Sequence, residues 1–234
     1  TANSGTASGT VDSYRDTGSA AITMADTVSI NTTGTTDGSI QLTISDGAGL
    51  TNSASGLLTV ENLTAGTGNI ALTSINGALS FTGTTVQAGT LTLATPSLLG
   101  SLGTPIATTA NTIVLSSLGG AAYISNTSTD LSLSGTVNGD LGLTNSGNIT
   151  MGGDVISTTG DVSLISAGIT AVSGNSIQAD VLTIDSSGAV GDLLGFPLEV
   201  QANTLNLSNL GSTANINNNI ASLSVSGTVN GDMS

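Results

Sequence analysis

The chain has 234 residues, of which 38% are hydrophobic and 2% aromatic, and one cationic side chain stands against fifteen carboxylates for a net charge of −14. The apolar content favours a packed core over a disordered tract, and the near absence of basic residues excludes binding to nucleic acid or to an anionic lipid surface. Histidine and cysteine are absent, so neither disulfides nor thiolate metal sites hold the fold.

The N-terminal residues differ from the rest of the chain. Residues 1–10 are entirely Thr, Ala, Ser, Asn and Gly, and Tyr14 and the single cation Arg15 follow them. We predict that residues 1–20 form either an irregular leader or a segment that pairs with a neighbouring subunit. The start has no Met and no basic signal region, so we expect a mature or excised piece of a longer protein.

Residues 21–234 are dominated by alternation of polar and apolar side chains. This period of two predicts short, half-buried strands. The clearest examples are residues 39–44, 69–73, 90–93, 130–134, 161–164 and 204–208. Gly-Asn, Asn-Gly, Gly-Asp and Ser-Gly pairs between them predict turns, and we expect little or no helix.

Several phrases are repeated 92 residues apart. Residues 134–140 (SGTVNGD) return at 226–232, residues 110–112 (ANT) return at 202–204, and residues 67–74 resemble residues 159–166. A fainter echo relates residues 38–43 to residues 68–73, a shift of 30. Such repetition is typical of a stacked array, in which each unit buries its apolar face against the next copy.

The strands and the repeat together predict a single all-β parallel β-helix, or solenoid, over residues 21–234. Coils of roughly 20 to 30 residues would give about ten short coils, and the imperfect 92-residue superrepeat would span about four of them. Successive copies would then lie on top of each other along one axis. Aliphatic columns are expected to pass through Leu72, Leu93, Leu164 and Ile184.

Residues 159–170, 176–179 and 182–184 together resemble the repeat region of filamentous-haemagglutinin-like bacterial adhesins. That family has a Gly-Asx pair, alternating aliphatic residues, another glycine and further Leu-Thr-Leu strands, and residues 67–94 follow the same pattern. The resemblance covers residues 36–234. It implies a right-handed parallel β-helix, secretion across an outer membrane, a role in adhesion or surface structure, and no catalytic residues.

The sequence contains few residues of the types that enzymes use for catalysis. Serine nucleophiles need a nearby base, and the chain has no His or Lys. Resemblance to pectate-lyase-like enzymes would require a basic residue, for which only Arg15 exists. A two-carboxylate glycosidase stays open, with stacking expected to join Asp180 to Asp185 or Asp154 to Asp161. We therefore predict no enzyme, with a polysaccharide-active enzyme as an alternative.

No cofactor and no metal site are expected. Calcium prefers six to eight oxygen ligands, and the turns at residues 138–140 and 230–232 are the best candidates for a structural calcium ion. The alternative is that Asn-Gly forms a tight turn and exposes the aspartate. Residues 152–154 (GGD) lack the continuation of a calcium-binding nonapeptide repeat.

Two further sets of residues have open interpretations. Asn-x-Ser/Thr sequons occur at Asn31, Asn62, Asn126, Asn148 and Asn206. They are either glycosylation acceptors or stacked asparagines that form hydrogen-bonded ladders inside turns. Tyr123 and Phe81 are expected to be core fillers or end plugs, with binding to a receptor as the alternative.

The functional prediction is a non-catalytic structural shaft of a secreted or cell-surface bacterial adhesin. The alternative is a self-assembling extracellular filament or surface-layer subunit, joined end to end by pairing of β-strands. The expected partners are neighbouring copies of the chain or adjoining repeats of a longer one, and cell-surface glycans; nucleic acid and membrane insertion are not expected.

Overall fold

The computed structural model describes residues 7–8, 21–23, 29–33, 38–44, 57–75, 77–82, 85–192 and 195–234, and these residues form strands and turns without helix. The strands are β1 (Ala7–Ser8), β2 (Ala21–Thr23), β3 (Ser29–Asn31), β4 (Ile40–Ile44), β5 (Leu57–Val60), β6 (Asn62–Thr64), β7 (Asn69–Ser74), β8 (Leu79–Phe81), β9 (Val86–Ala94), β10 (Ile106–Leu118), β11 (Ala122–Asn126), β12 (Asp130–Val137), β13 (Leu141–Asn145), β14 (Asn148–Ser157), β15 (Val162–Ser166), β16 (Gly168–Thr170), β17 (Ser176–Ser186), β18 (Leu198–Leu210), β19 (Ile216–Asn218) and β20 (Ser224–Val229). Tyr14, Arg15 and the rest of the predicted leader apart from β1 lie outside the described residues. The described part holds no apolar helix of membrane-crossing length.

All pairings between the named strands are parallel, and each strand pairs with strands about one coil before and after it in the chain. One continuous stack of partners, which we call ladder A, passes through the C-terminal part of the solenoid. Ladder A consists of Ile106, Ile124, Leu143, Leu164, Ile184, Leu207 and Gly227. Its six aliphatic members are all buried.

A second stack, ladder B, passes through the next face of the coils. Ladder B consists of Leu42, Leu72, Leu93, Leu115, Gly135, Val155, Ile177, Val200 and Asn218. The predicted columns are therefore confirmed, since Leu72 lies next to Leu93 on ladder B and Leu164 next to Ile184 on ladder A. Apolar side chains of both ladders fill the interior, and in strands such as β7 and β13 the alternate residues face outward.

The fold is the expected all-β parallel solenoid, with about eight turns instead of about ten. Coils in the C-terminal half are short, as the pairing of Leu143 with Leu164 illustrates. Coils near the N-terminus are longer, as the pairing of Leu42 with Leu72 shows. This pairing reproduces the longer shift that the sequence shows between residues 38–43 and 68–73. At the usual spacing between strands, eight turns make a stack about 40 Å long.

The 92-residue repeat has a different geometry from the one expected. Four steps along ladder B lead from Gly135 to Asn218 and not to Gly227, the copy of Gly135. Gly227 lies farther along the chain and belongs to ladder A. The copies therefore do not lie on top of each other. Each copy of the repeat contains a long strand and the strand that pairs with it in the next coil. In the second copy this pair lies one face farther around the solenoid.

That local unit is visible in β10 and β18, which begin 92 residues apart and have nearly the same alternation of buried and exposed positions. Each carries a register shift near its end, between Leu115 and Leu118 in β10 and between Leu207 and Leu210 in β18. The bulge turns the strand at the corner of the coil. The repeated sequence thus forms the same type of corner twice, at two different faces of the solenoid.

Candidate functional site

Most of the described carboxylates accept hydrogen bonds from the following coil. Asp140 Oδ1 accepts from the backbone N–H of Asp161 at 3.1 Å, and Asp161 Oδ1 accepts from the N–H of Val181 at 3.1 Å. Both residues stand at the start of a ladder A strand, so the negative charges follow each other along one edge of the solenoid. Their first role is to join successive coils.

The carboxylate pairs suggested by the sequence are bonded elsewhere. Asp154 Oδ1 accepts from the N–H of Ser176 at 2.8 Å, instead of lying in a bonded pair with Asp161. Asp180 Oδ1 accepts from Asn203 Nδ2 at 2.9 Å, and Asp185 lies in register with Ile165 and Asn209. Asp154 and Asp180 thus bind partners in an adjacent coil, because the parallel register sets residues one coil apart beside each other.

The Asn-Gly-Asp turn at residues 138–140 has its side-chain oxygens occupied in the same way. Asn138 Oδ1 accepts from the hydroxyls of Thr158 at 2.8 Å and Thr159 at 3.2 Å. Among the described residues, no three acidic side chains are grouped closely enough to hold a metal ion. The oxygens of this turn therefore accept hydrogen bonds from the following coil.

The sequon at Asn126 belongs to a buried polar row at one corner of the solenoid. This row, the corner ladder, consists of Thr108, Asn126, Asn145, Ser166 and Ser186, and all five side chains are buried. Asn126 Nδ2 donates to Asn145 Oδ1 at 2.9 Å, and Thr108 Oγ1 donates to Asn126 Oδ1 at 2.8 Å. Asn126 is only 1% exposed, so its amide is unavailable to a glycan and the stacked-asparagine interpretation holds there.

The corner ladder also closes the turns that follow it. Asn145 Nδ2 donates to the carbonyl of Asn148 at 2.8 Å, and Ser166 Oγ donates to the carbonyl of Gly168 at 3.1 Å. These side chains satisfy carbonyl groups that turn away from the strands. Of the other sequons, Asn31 and Asn148 are exposed and Asn62 and Asn206 are half-buried.

Tyr123 occupies an outward position, which corrects its expected role as a core filler. It lies between the buried Ala122 and Ile124, and its strand alternates inward and outward. Its ring covers Gly142 in the next coil, since a Cβ on Gly142 would lie 2.7 Å from Tyr123 Cδ1. Phe81, in contrast, packs against the core as predicted.

A shallow groove of about 260 Å³ lies along the ring of Tyr123, lined also by Leu102, Asp140, Asp161 and Ile165. Leu102 is 84% exposed and Ile165 is 44% exposed, so the groove has apolar walls beside its carboxylates. The Tyr123 hydroxyl donates to Asp140 Oδ2 at 3.3 Å. Partial desolvation and the negative charge of Asp140 raise the pKa of the Tyr123 phenol above its ordinary value.

The Tyr123 groove is small compared with most ligand pockets. Its volume is below the range of about 300–1,000 Å³ that is usual for small-molecule pockets. The carboxylates of Asp140 and Asp161 already accept backbone N–H groups. A second groove of about 390 Å³, lined by Thr158, Asp180 and Asn203 among others, is polar and open.

Two buried polar atoms among the described residues have no hydrogen-bond partner, namely Glu61 Oε2 and Asn218 Nδ2. Sequence reasoning missed both of them, and the Tyr123 groove as well, because each depends on which coils lie above and below. The 92-residue spacing between Asn126 and Asn218 was a usable signal for the second. Comparison of the chain with protein-family models, with curated proteins and with solved structures found no match.

Proposed function

We propose that this chain is a non-catalytic shaft, a rigid segment that holds other parts of a secreted or cell-surface bacterial protein at a fixed distance. The observation that supports it is the continuity of ladder A, in which a buried aliphatic residue recurs in register through six successive coils. Each coil contacts only its neighbours, so the stack extends in one dimension and its length grows with the number of coils.

The polar groups support the same proposal. The carboxylates and the corner ladder direct their hydrogen bonds to the adjacent coil instead of converging on a cleft. A surface with a net charge of −14 resists lateral association between rods. Both properties suit a spacer, and the resemblance of the sequence to adhesin repeats supports a parent protein of that class.

Rigidity is the first property to test, and the absence of cysteine makes the chain suitable for site-specific labelling. Ala107 and Asn209 are exposed and lie five ladder steps apart. Spin labels on Ala107→Cys and Asn209→Cys should give a narrow distance distribution centred at about 24 Å. A broad distribution, as for a flexible linker, would contradict a shaft.

The absence of intrinsic binding is the second property to test. Beads coated with the chain should not bind host cells or an array of cell-surface glycans, since a shaft leaves binding to another region. Tyr123→Ala and Asp140→Asn are the matched variants, because both residues line the groove. Saturable binding that either variant abolishes would assign a binding function to the groove and overturn the spacer role.

An end-to-end filament is the second candidate function. The last coil supports it, since Val225 is 48% exposed and Met233 is 52% exposed. Open strand edges with apolar side chains favour association with another chain. Negative-stain electron microscopy at neutral pH separates the two candidates, because polymers indicate the filament and single short rods indicate the shaft.

A further inference from the structure

The Tyr123 groove combines an aromatic ring with two carboxylates. The Tyr123 hydroxyl donates to Asp140 Oδ2 at 3.3 Å, which holds the ring beside that carboxylate. Asp161 has the equivalent position one coil later, at about 4.8 Å along the stack. All three residues line the same groove of about 260 Å³. A cation in this groove would be attracted by the ring and by two negative charges at once.

The hydrogen bonds of the two carboxylates decide which kind of cation fits. Oδ1 of Asp140 accepts the backbone N–H of Asp161, and Oδ1 of Asp161 accepts that of Val181. Asp161 Oδ2 accepts no hydrogen bond from the described residues. A guanidinium fork binds both oxygens of one carboxylate, whereas the three donors of an ammonium can reach oxygens of different groups. The arrangement therefore favours lysine over arginine.

The apolar walls of the groove match the rest of a lysine side chain. Leu102 is 84% exposed and Ile165 is 44% exposed. Asp161 lies just before the start of β15 and Ile165 near its end, so the acidic and apolar walls are separated along the strand. Lysine buries its four-carbon stem on apolar surface and keeps its ammonium at the polar end. A volume below that of most small-molecule pockets suits a single side chain.

Charge complementarity identifies the source of the lysine. The chain has a net charge of −14 and contains no lysine, and its one cation is Arg15. A second copy of the chain would therefore be repelled by the groove and could not supply the side chain. A basic protein, in contrast, is attracted both by the groove and by the acidic surface around it.

We propose that the Tyr123 groove is a docking site for a lysine side chain of a basic partner protein. The ammonium lies against the ring of Tyr123 and donates to Oδ2 of Asp140 and of Asp161, and the stem packs on Leu102 and Ile165. The proposal does not depend on the shaft function. It is compatible with a shaft that binds no glycan, because the groove selects a cation.

Nuclear magnetic resonance of the full chain tests the site. The probe is the blocked peptide Gly-Gly-Lys-Gly-Gly, added at about 0.15 M salt to screen weak attraction to the surface. The amide signals of Gly142 and Ser163, which line the groove, should shift and saturate. The same peptide with norleucine in place of lysine has the stem without the ammonium, and it should bind several-fold more weakly.

Variants of the chain locate the interaction. Tyr123→Leu and Asp161→Asn should each weaken binding of the lysine peptide by about two- to fivefold. The asparagine keeps an acceptor for the N–H of Val181, so the coil stays intact. Asp154→Asn is the matched control and should leave the affinity unchanged. Asp154 also accepts a backbone N–H from the next coil but lies outside the groove.

Four results would overturn the proposal. Equal affinity for the lysine and norleucine peptides would mean that the groove recognises only an apolar stem. Tighter binding of an arginine peptide would contradict the choice of lysine. Equal weakening by Asp154→Asn and Asp161→Asn would indicate attraction to the whole acidic surface. Shifts that do not saturate would lead to the same conclusion.

Discussion

Gly135 lies directly over the main chain of Leu115, one coil earlier, so closely that a Cβ on Gly135 would overlap the Leu115 carbonyl oxygen. Gly227 lies over Leu207 in the same way, and the two glycines have φ values of 130° and 127°. Only glycine fits a backbone with this positive φ and so close an approach. The segment repeated at residues 134–140 and 226–232 thus has the same geometry in both copies. In each copy its glycine forms a tight contact with the preceding coil beside a bulge.

Gly135→Ala is expected to destabilise the solenoid by about 1–3 kcal/mol, the usual cost of a backbone strained at positive φ. The overlap with the Leu115 carbonyl adds to this cost. Gly103→Ala is the matched control, because a Cβ there has no neighbour within 4 Å. Urea unfolding followed by circular dichroism measures both. Equal midpoints for the two variants would contradict the close approach.

Leu164→Asp should break the stack locally. Leu164 is 0% exposed on ladder A, so an unpaired carboxylate would be buried among aliphatic side chains. The milder Leu164→Ala should cost about 2–5 kcal/mol. Ile165→Asp is the control, since Ile165 is adjacent in sequence and faces outward. Limited proteolysis should cut the Leu164→Asp variant near β15 and leave the Ile165→Asp variant intact.

Asn126→Ala should cost more stability than a surface substitution. It removes an acceptor from the Ala110 N–H and leaves Asn145 and Thr108 without their partner in the corner ladder. A loss of about 1–3 kcal/mol is expected for such buried groups. Asn148→Ala provides the comparison, because its side chain is exposed. The corner ladder would have no structural role if both variants melted together.

The Tyr123 phenol should ionise above its ordinary pKa of 10.0, because partial desolvation and Asp140 both favour the neutral form. Because the folded-state pKa is raised, the contribution of the neutral Tyr123 phenol to stability is complete below pH 10.0. It is lost as the pH rises through the folded-state pKa. Ultraviolet titration in a Tyr14→Phe background isolates Tyr123. Asp140→Asn should lower the pKa, and an unchanged titration would refute the coupling.

Much of the fold follows from local patterns. Alternation over residues 69–73 and 161–164 predicted strands that the structure contains as β7 and β15. The similarity between residues 38–43 and 68–73 corresponds in the structure to the pairing of Ile40 with Ile70. Such features were predictable because inward and outward positions alternate along every strand. The outward position of Tyr123 was not recognised, since an aromatic residue in a chain with few others suggested the core.

The sequence by itself determined that segments of the chain are repeated and that polar and apolar residues alternate with period two. It also determined that only one basic side chain is present and that coils must stack to bury the aliphatic residues. Only the tertiary structure decided which copies share a ladder, because coils of unequal length accumulate offsets that no single spacing reveals. For that reason Gly135 and Gly227 lie on different faces. Local hydrophobic periodicity sets the strands, whereas the sum of the turn lengths sets the register between them.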